Sequence, residues 1–460
     1  MAAVSPADTV TFTDRVTAPI RRLMSSQSAS GLVLILCAVV AFGWANSPFA
    51  AAYFEMQHLH TALVFGDFHL ELSLAHFVND ALMAIFFFVV GLEIKREFMV
   101  GELAGLRRAA LPIAGAIGGM VAPALIFVAI NAGEPTIRGW GVPMATDIAF
   151  AVGVLALVGD RVPLGLKVFL LALAIVDDLG AVMVIALFYT ESVNTTALLL
   201  SLGVWAVALL YGRFGHARAG VFFVIGAVCW YFMLESGVHA TIAGVLMALA
   251  IPLGGKLPPR DLEAEVREMM LPSSGGVDVK VERISYLVDR VQSPLMTFEH
   301  NLSPWVAFLI MPVFAVFNAG VALGGAGGHG GEGEAAAHAA EASLIGLPTI
   351  GAFLGLLIGK PVGIALCAWI AIRTGLASFP RGGNWMGIVG IGCLGGIGFT
   401  MALFVANLAF GASIELDQAK IGVLGASVVS AVLGFVLLAR AFRHAPSPTA
   451  AAQAQAEASH

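Results

Sequence analysis

Two aspartates, Asp177 and Asp178, stand side by side in an apolar stretch, with "LKVFLLALAIV" before them and "LGAVMVIALFY" after. Charge at bilayer depth is costly, so an acid there faces a partner, a bundle interior or a water-filled cavity. Neighbouring helical positions point about 100° apart, so the two carboxylates cannot share one partner, and at least one borders a water-filled cavity. Close carboxylates in a partly desolvated site do not both ionise easily, so they can hold protons or a small cation. The chemistry that follows is exchange of a proton for a cation.

Few other ionisable residues lie so deep in apolar sequence: Asp80, Asp147 and Lys360. Lys360 stands midway along the run from Leu344 to Ile372, in "LLIGKPVGIAL". It is too far from either end to snorkel easily and needs an acid or an electronegative helix end. A salt bridge to an aspartate of the fifth apolar segment is the sharper reading; a lysine at a misplaced helix boundary is the other. In "GWGVPMATDIAFAVGVL" Pro143 interrupts the helix and Thr146-Asp147 stands where a second half would start, so Asp147 alone could be an N-cap. The glycines of "GIGCLGGIGFTMALFVA" make a similar weak point before Phe399-Thr400. Two interrupted spans in corresponding places are how secondary transporters build a midplane site.

The elements that must position these residues are membrane helices. Of 460 residues, 59% are hydrophobic and 12% charged, about half the charge of a soluble domain. About a dozen helices are expected near 30–47, 75–97, 109–130, 139–158, 164–189, 196–212, 219–235, 238–254, 303–323, 344–371, 385–410 and 419–440. Alternate loops carry nearly all the Lys and Arg, which puts both termini in the cytoplasm. Arg15, Arg21 and Arg22 precede a first run, Gly31 to Ala45, that has no convincing A-x-A cleavage site and reads as a retained span. The expected layout is an N-terminal cytoplasmic segment (1–28), a transmembrane domain (29–442) and a disordered tail (443–460). Residues 255–300 form a cytoplasmic loop with an amphipathic helix, and 324–342 a low-complexity outer loop. The alternation in "VFGDFHLELSL" signals a hairpin around Gly66-Asp67; it serves either as a dimer contact near 63–73 or as a lid. Cys37, Cys229, Cys367 and Cys393 read as small core residues. No basic tract suits nucleic acid.

Motifs along most of the chain resemble the NhaA-type bacterial sodium/proton antiporters: "FFFVVGLEIKREF", "PMATDIAFAVGVLAL", "LALAIVDDLGAV", "SGVHATIAGVL", "PLMTFEHNLSPWVAFLIMPVFAVFNAGV", "GLLIGKPVGI" and "GIGFTMALFVANLAF". The resemblance implies an all-α polytopic fold of about 12 transmembrane helices, with inverted repeats and two interrupted, crossing helices. It implies Na⁺ or Li⁺ export against entering protons across the inner membrane, pH-regulated, with no cofactor. By the same resemblance Asp178 is a direct cation ligand, Asp177 pairs with Lys360, and Thr146 and Asp147 stand at a broken helix beside them. Asp80 is an accessory acid. Glu93, Lys95, Arg96, Glu97, Glu299 and His300 resemble the family's pH-responsive cluster, and His239 matches a family histidine that is either part of that response or structural. Ser303 stands where a second histidine is common.

Three other readings compete. A transporter of the same architecture could use the cation to carry an organic solute, but no second polar cluster accompanies the acids. An intramembrane aspartyl protease also places two acids in apolar helices, but it needs one on each of two facing helices, and the G-x-G-D context is missing. A retinal protein would explain a buried lysine, but a dozen spans is too many.

Overall fold

The computed structural model describes residues 27–65, 68–159, 161–190, 193–214, 218–254, 293–322 and 345–443. The anticipated amphipathic helix before 293, the loop at 324–342 and most of both terminal segments lie outside the described residues.

Each apolar stretch carries helix. In chain order these are α1 (Gln27–Ala45), α2 (Ala50–Gln57), α3 (Leu74–Met99), α4 (Leu106–Ile130), a 3₁₀ segment (Pro135–Met144) leading to α5 (Ile148–Val158), and α6 (Leu164–Phe188). After them come α7 (Thr195–Arg213), α8 (Ala219–Glu235), α9 (Thr241–Ala250), α10 (Pro294–Asn318), α11 (Leu347–Arg373), α12 (Trp385–Gly395), α13 (Phe399–Phe410) and α14 (Ile414–Ala441). Among the described residues, seven helices are long and apolar enough to cross a bilayer, or up to ten if each bent pair is one span; α8 and α9 are shorter and apolar. The 25 residues of α6 rise about 38 Å at ~1.5 Å each, enough for a core of roughly 30 Å. The chain is a multi-pass membrane protein.

The expected hairpin is present: β1 (His60–Phe65) pairs antiparallel with β2 (Phe68–Ser73), Phe65 opposite Phe68. The largest difference from the expected boundaries is at the ninth span. The ninth span starts at Pro294, nine residues earlier than the sequence pattern suggested, so the polar run "EHNLS" is helical. Ser293 caps that start, and a π-turn at Val306–Ile310 lies between Pro304 and Pro312. A wider turn absorbs the hydrogen bonds that proline cannot make.

The described residues form two compact units. One contains His76–Gly105 and Val182–Val306. Its core gathers Phe88, Leu92, Phe222, Met233, Met247 and Phe298, with the Phe298 ring edge-on to Phe88 and Phe222 at 5.9 and 6.1 Å. The other unit holds the remainder. There α4 and α11 touch backbone to backbone, because a side chain on Gly118 would strike the Gly363 carbonyl. Small residues permit such approach where helices pack in lipid.

Candidate functional site

Two broken spans meet in the larger unit. The 3₁₀ segment and α5 are bent by 43°, and α12 and α13 by 45°. The breaks are bonded to each other: the Asp147 amide donates to the Ile397 carbonyl at 2.7 Å. Each break leaves unpaired helix ends, amides where the second half starts and carbonyls where the first half stops.

Asp147 serves the amide ends. It is the N-cap of α5, its Oδ1 accepting from the Phe150 amide at 3.0 Å. Its Oδ2 accepts from the Thr400 amide at 3.2 Å and from the Thr400 hydroxyl. A carboxylate is favoured there because both half-helices present their positive ends.

Thr146 serves the carbonyl end. Its hydroxyl accepts from Lys360 Nζ at 2.8 Å. The single hydroxyl hydrogen lies between Asp177 Oδ2 at 2.7 Å and the carbonyl of Gly395, the last residue of α12, at 2.8 Å. Lys360 also makes an ion pair with Asp177 Oδ2. Lysine, aspartate and threonine are all fully buried. The ammonium therefore lies next to a carboxylate and one hydroxyl away from an electronegative helix end.

The local fold brings Lys360 there. Pro361 has no N–H for the preceding turn, and Gly355–Gly359 is a π-turn; such bulges recur at functional positions. The lysine stem runs along α4, its Cδ 3.6 Å from where a side-chain carbon on Gly119 would sit. No hydrogen-bond donor among the described residues reaches Asp177 Oδ1. Asp178, one position on, is buried too, with 1% of its surface exposed.

The structure thus brings together Thr146, Asp147, Asp177 and Lys360, with Asp178 adjoining on the same helix. It adds Thr400 and the Gly395 carbonyl. It also adds Ser427, whose Oγ accepts from the Phe399 amide at 3.1 Å. The only sequence signal for Ser427 was its spacing from Ser430, which places both on one face of an apolar helix.

In the other unit, Arg96 joins Glu299 and Glu97, the latter at 3.1 Å. Glu93 lies within the electrostatic reach of Glu299, Arg96 and Glu97, and His300 within that of Glu299. Glu97 Oε2 accepts from the Glu102 amide at 3.0 Å. Lys95 points elsewhere, donating to the carbonyls of Leu249 and Ile251 at 2.7 and 2.5 Å at the C-terminal end of α9. His239 is at the opposite end of α9, in the turn that starts it, about 15 Å away at ~1.5 Å per residue. Ser303 donates back to the Glu299 carbonyl at 2.7 Å. Asp80 is buried in a π-turn of α3 (Phe77–Leu82), its carbonyl accepting from Trp230 Nε1 at 3.3 Å.

Residues 21–438 match the family model described as Na+/H+ antiporter 1. The chain is 45% identical to the Na(+)/H(+) antiporter NhaA of Oleidesulfovibrio alaskensis, over 92% of this chain and 94% of that protein. It is 47% identical to NhaA 2 of Pseudomonas syringae pv. syringae, over 92% and 95% of the two chains. It is 44% identical to NhaA 2 of Sorangium cellulosum, over 96% and 94%. With two broken spans bonded at their breaks around a buried lysine and its acids, and a match across nearly the whole chain, the protein belongs to the NhaA family of Na⁺/H⁺ antiporters.

Proposed function

We propose that the chain exports Na⁺ or Li⁺ in exchange for protons at a site built from Asp177, Asp178, Thr146, Asp147 and Lys360. The observation that carries this reading is the buried Lys360–Asp177 ion pair with Thr146 bridging to the broken helix. A buried pair is stable only while both partners remain. A cation arriving at Asp178 and Asp177 competes with the ammonium for carboxylate oxygen, so its binding favours loss of a proton from the pair. Departure of the cation restores the lysine to Asp177. Asp147 lies between two helix starts, where the helix dipoles favour a negative charge. Asp177 and Asp178 are consecutive on one helix, whereas an aspartyl protease needs one acid on each of two facing helices.

The distribution of Lys and Arg supports an inner-membrane protein with both termini in the cytoplasm. The Arg96–Glu299–Glu97 cluster with Glu93 and His300 is its pH-responsive element. The β1–β2 hairpin is the surface through which two copies associate. The deciding experiment is a pH-sensitive dye in proteoliposomes of known orientation, challenged with Na⁺, Li⁺, K⁺ or an organic solute. Proton flux on Na⁺ or Li⁺ alone supports the reading; flux only with the organic solute, or none, refutes it.

A further inference from the structure

Helix α14 supplies no titratable group to the exchange site, yet it holds one of the half-helices that make it. Ser427 donates its hydroxyl hydrogen to the Val423 carbonyl at 2.7 Å, which leaves its oxygen free to accept. It accepts from the amide of Phe399, the first residue of α13. Phe399 is the one non-glycine residue at positive φ among the described residues, at 20°. An L-residue keeps such a conformation only where its surroundings over-determine it. Those surroundings are visible. The Phe399 ring packs edge-on against Phe150 of α5 at 5.5 Å, and the amide of the next residue, Thr400, is held by Asp147.

We infer that Ser427 is a positioning residue for cation exchange: by fixing the Phe399 amide it sets Thr400 against Asp147 and so defines the crossing. The inference rests on the exchange site proposed above. Without the serine oxygen the first amide of α13 is an unsatisfied buried donor, and Phe399 has less reason to stay at positive φ. Relaxation there moves Thr400 relative to Asp147. Ser430, one turn further along α14, is an internal control, because its buried hydroxyl makes no hydrogen bond among the described residues.

The test compares Ser427→Ala, Ser427→Thr, Ser427→Cys and Ser430→Ala in proteoliposomes, reading Na⁺-driven proton flux against Na⁺ concentration. Ser427→Ala should raise the Na⁺ concentration for half-maximal flux about fivefold, the equivalent of one net hydrogen bond, with maximal flux less affected. Ser427→Thr keeps the acceptor and should restore the wild-type value, Ser427→Cys should fall between, and Ser430→Ala should match wild type. Hydrogen exchange of the peptide over residues 397–403 should be faster in Ser427→Ala and unchanged in Ser430→Ala. Wild-type Na⁺ dependence in Ser427→Ala, or an equal shift in Ser430→Ala, overturns the inference. Absence of flux in the wild-type protein would instead refute the exchange reading, and the hydrogen-exchange comparison would still decide whether Ser427 holds α13.

Discussion

Asp147 accepts the backbone amide of Thr400, 253 residues further along the chain, at 3.2 Å. With its other oxygen on the Phe150 amide at 3.0 Å, one carboxylate caps two half-helices belonging to two spans. The crossing is therefore held by a side chain as well as by packing. Its geometry depends on an acid that the α5 N-cap alone would not require.

Asp147→Ala removes both caps. At about 0.5–2 kcal/mol per cap, the variant should lose roughly 1–4 kcal/mol, read as a lower melting temperature in detergent. Asp147→Asn keeps one acceptor oxygen and turns an amide group toward the other helix start, so its loss should be about half as large. Equal stability of Asp147→Asn and wild type would mean that the second cap contributes nothing.

Asp178→Asn keeps shape and burial while removing one charge. The Lys360–Asp177 pair does not involve Asp178, so the variant should insert and melt close to wild type. Na⁺-driven proton flux in everted vesicles should vanish. Retained exchange with normal Na⁺ dependence would take Asp178 out of the ion site.

The reach of the sequence differs from residue to residue. Asp177, Asp178, Asp147 and Lys360 were legible because charge inside apolar runs has few explanations, and the two broken spans because proline and clustered glycine interrupt helices. Ser427 was not legible, since a serine in an apolar helix most often bonds its own preceding turn, and Ser427 does that as well. The start of α10 is hidden because "EHNLSPW" is polar and contains a proline, although Ser293 caps the helix and Leu295 and Phe298 are buried along it. The direction of Lys95 was hidden too: it lies one residue from Arg96, but its partners are carbonyls more than 150 residues away.

That difference between neighbours separates two roles. Lys95→Met removes two hydrogen bonds at the C-terminal end of α9, where a cation also complements the helix dipole. It should cost about 1–2 kcal/mol of stability and leave the activity–pH curve in place. Glu299→Gln deprives Arg96 of one carboxylate and should move the curve by roughly half a pH unit, the scale of a partly exposed ion pair, with a smaller effect on maximal rate. A curve that moved with Lys95→Met and not with Glu299→Gln would reverse the assignment.

Lys360 has two duties that its variants can separate. Its ammonium balances a fully buried Asp177, so Lys360→Ala leaves a buried carboxylate with only the Thr146 hydroxyl. Removing one partner of such a pair costs about 3–5 kcal/mol, which should appear as a large drop in melting temperature together with loss of exchange. Lys360→Arg keeps the charge, but guanidinium does not release its proton at working pH. Its planar fork also has to fit beside α4, where Lys360 Cδ already lies close to Gly119. The arginine variant should fold, be more stable than Lys360→Ala, and show flux whose pH profile is displaced from wild type. Melting temperature measured beside Na⁺-driven flux at several pH values distinguishes the outcomes. Wild-type stability and flux in Lys360→Ala would remove the lysine from both duties, whereas a stable Lys360→Arg with an unchanged pH profile would leave it only the structural one.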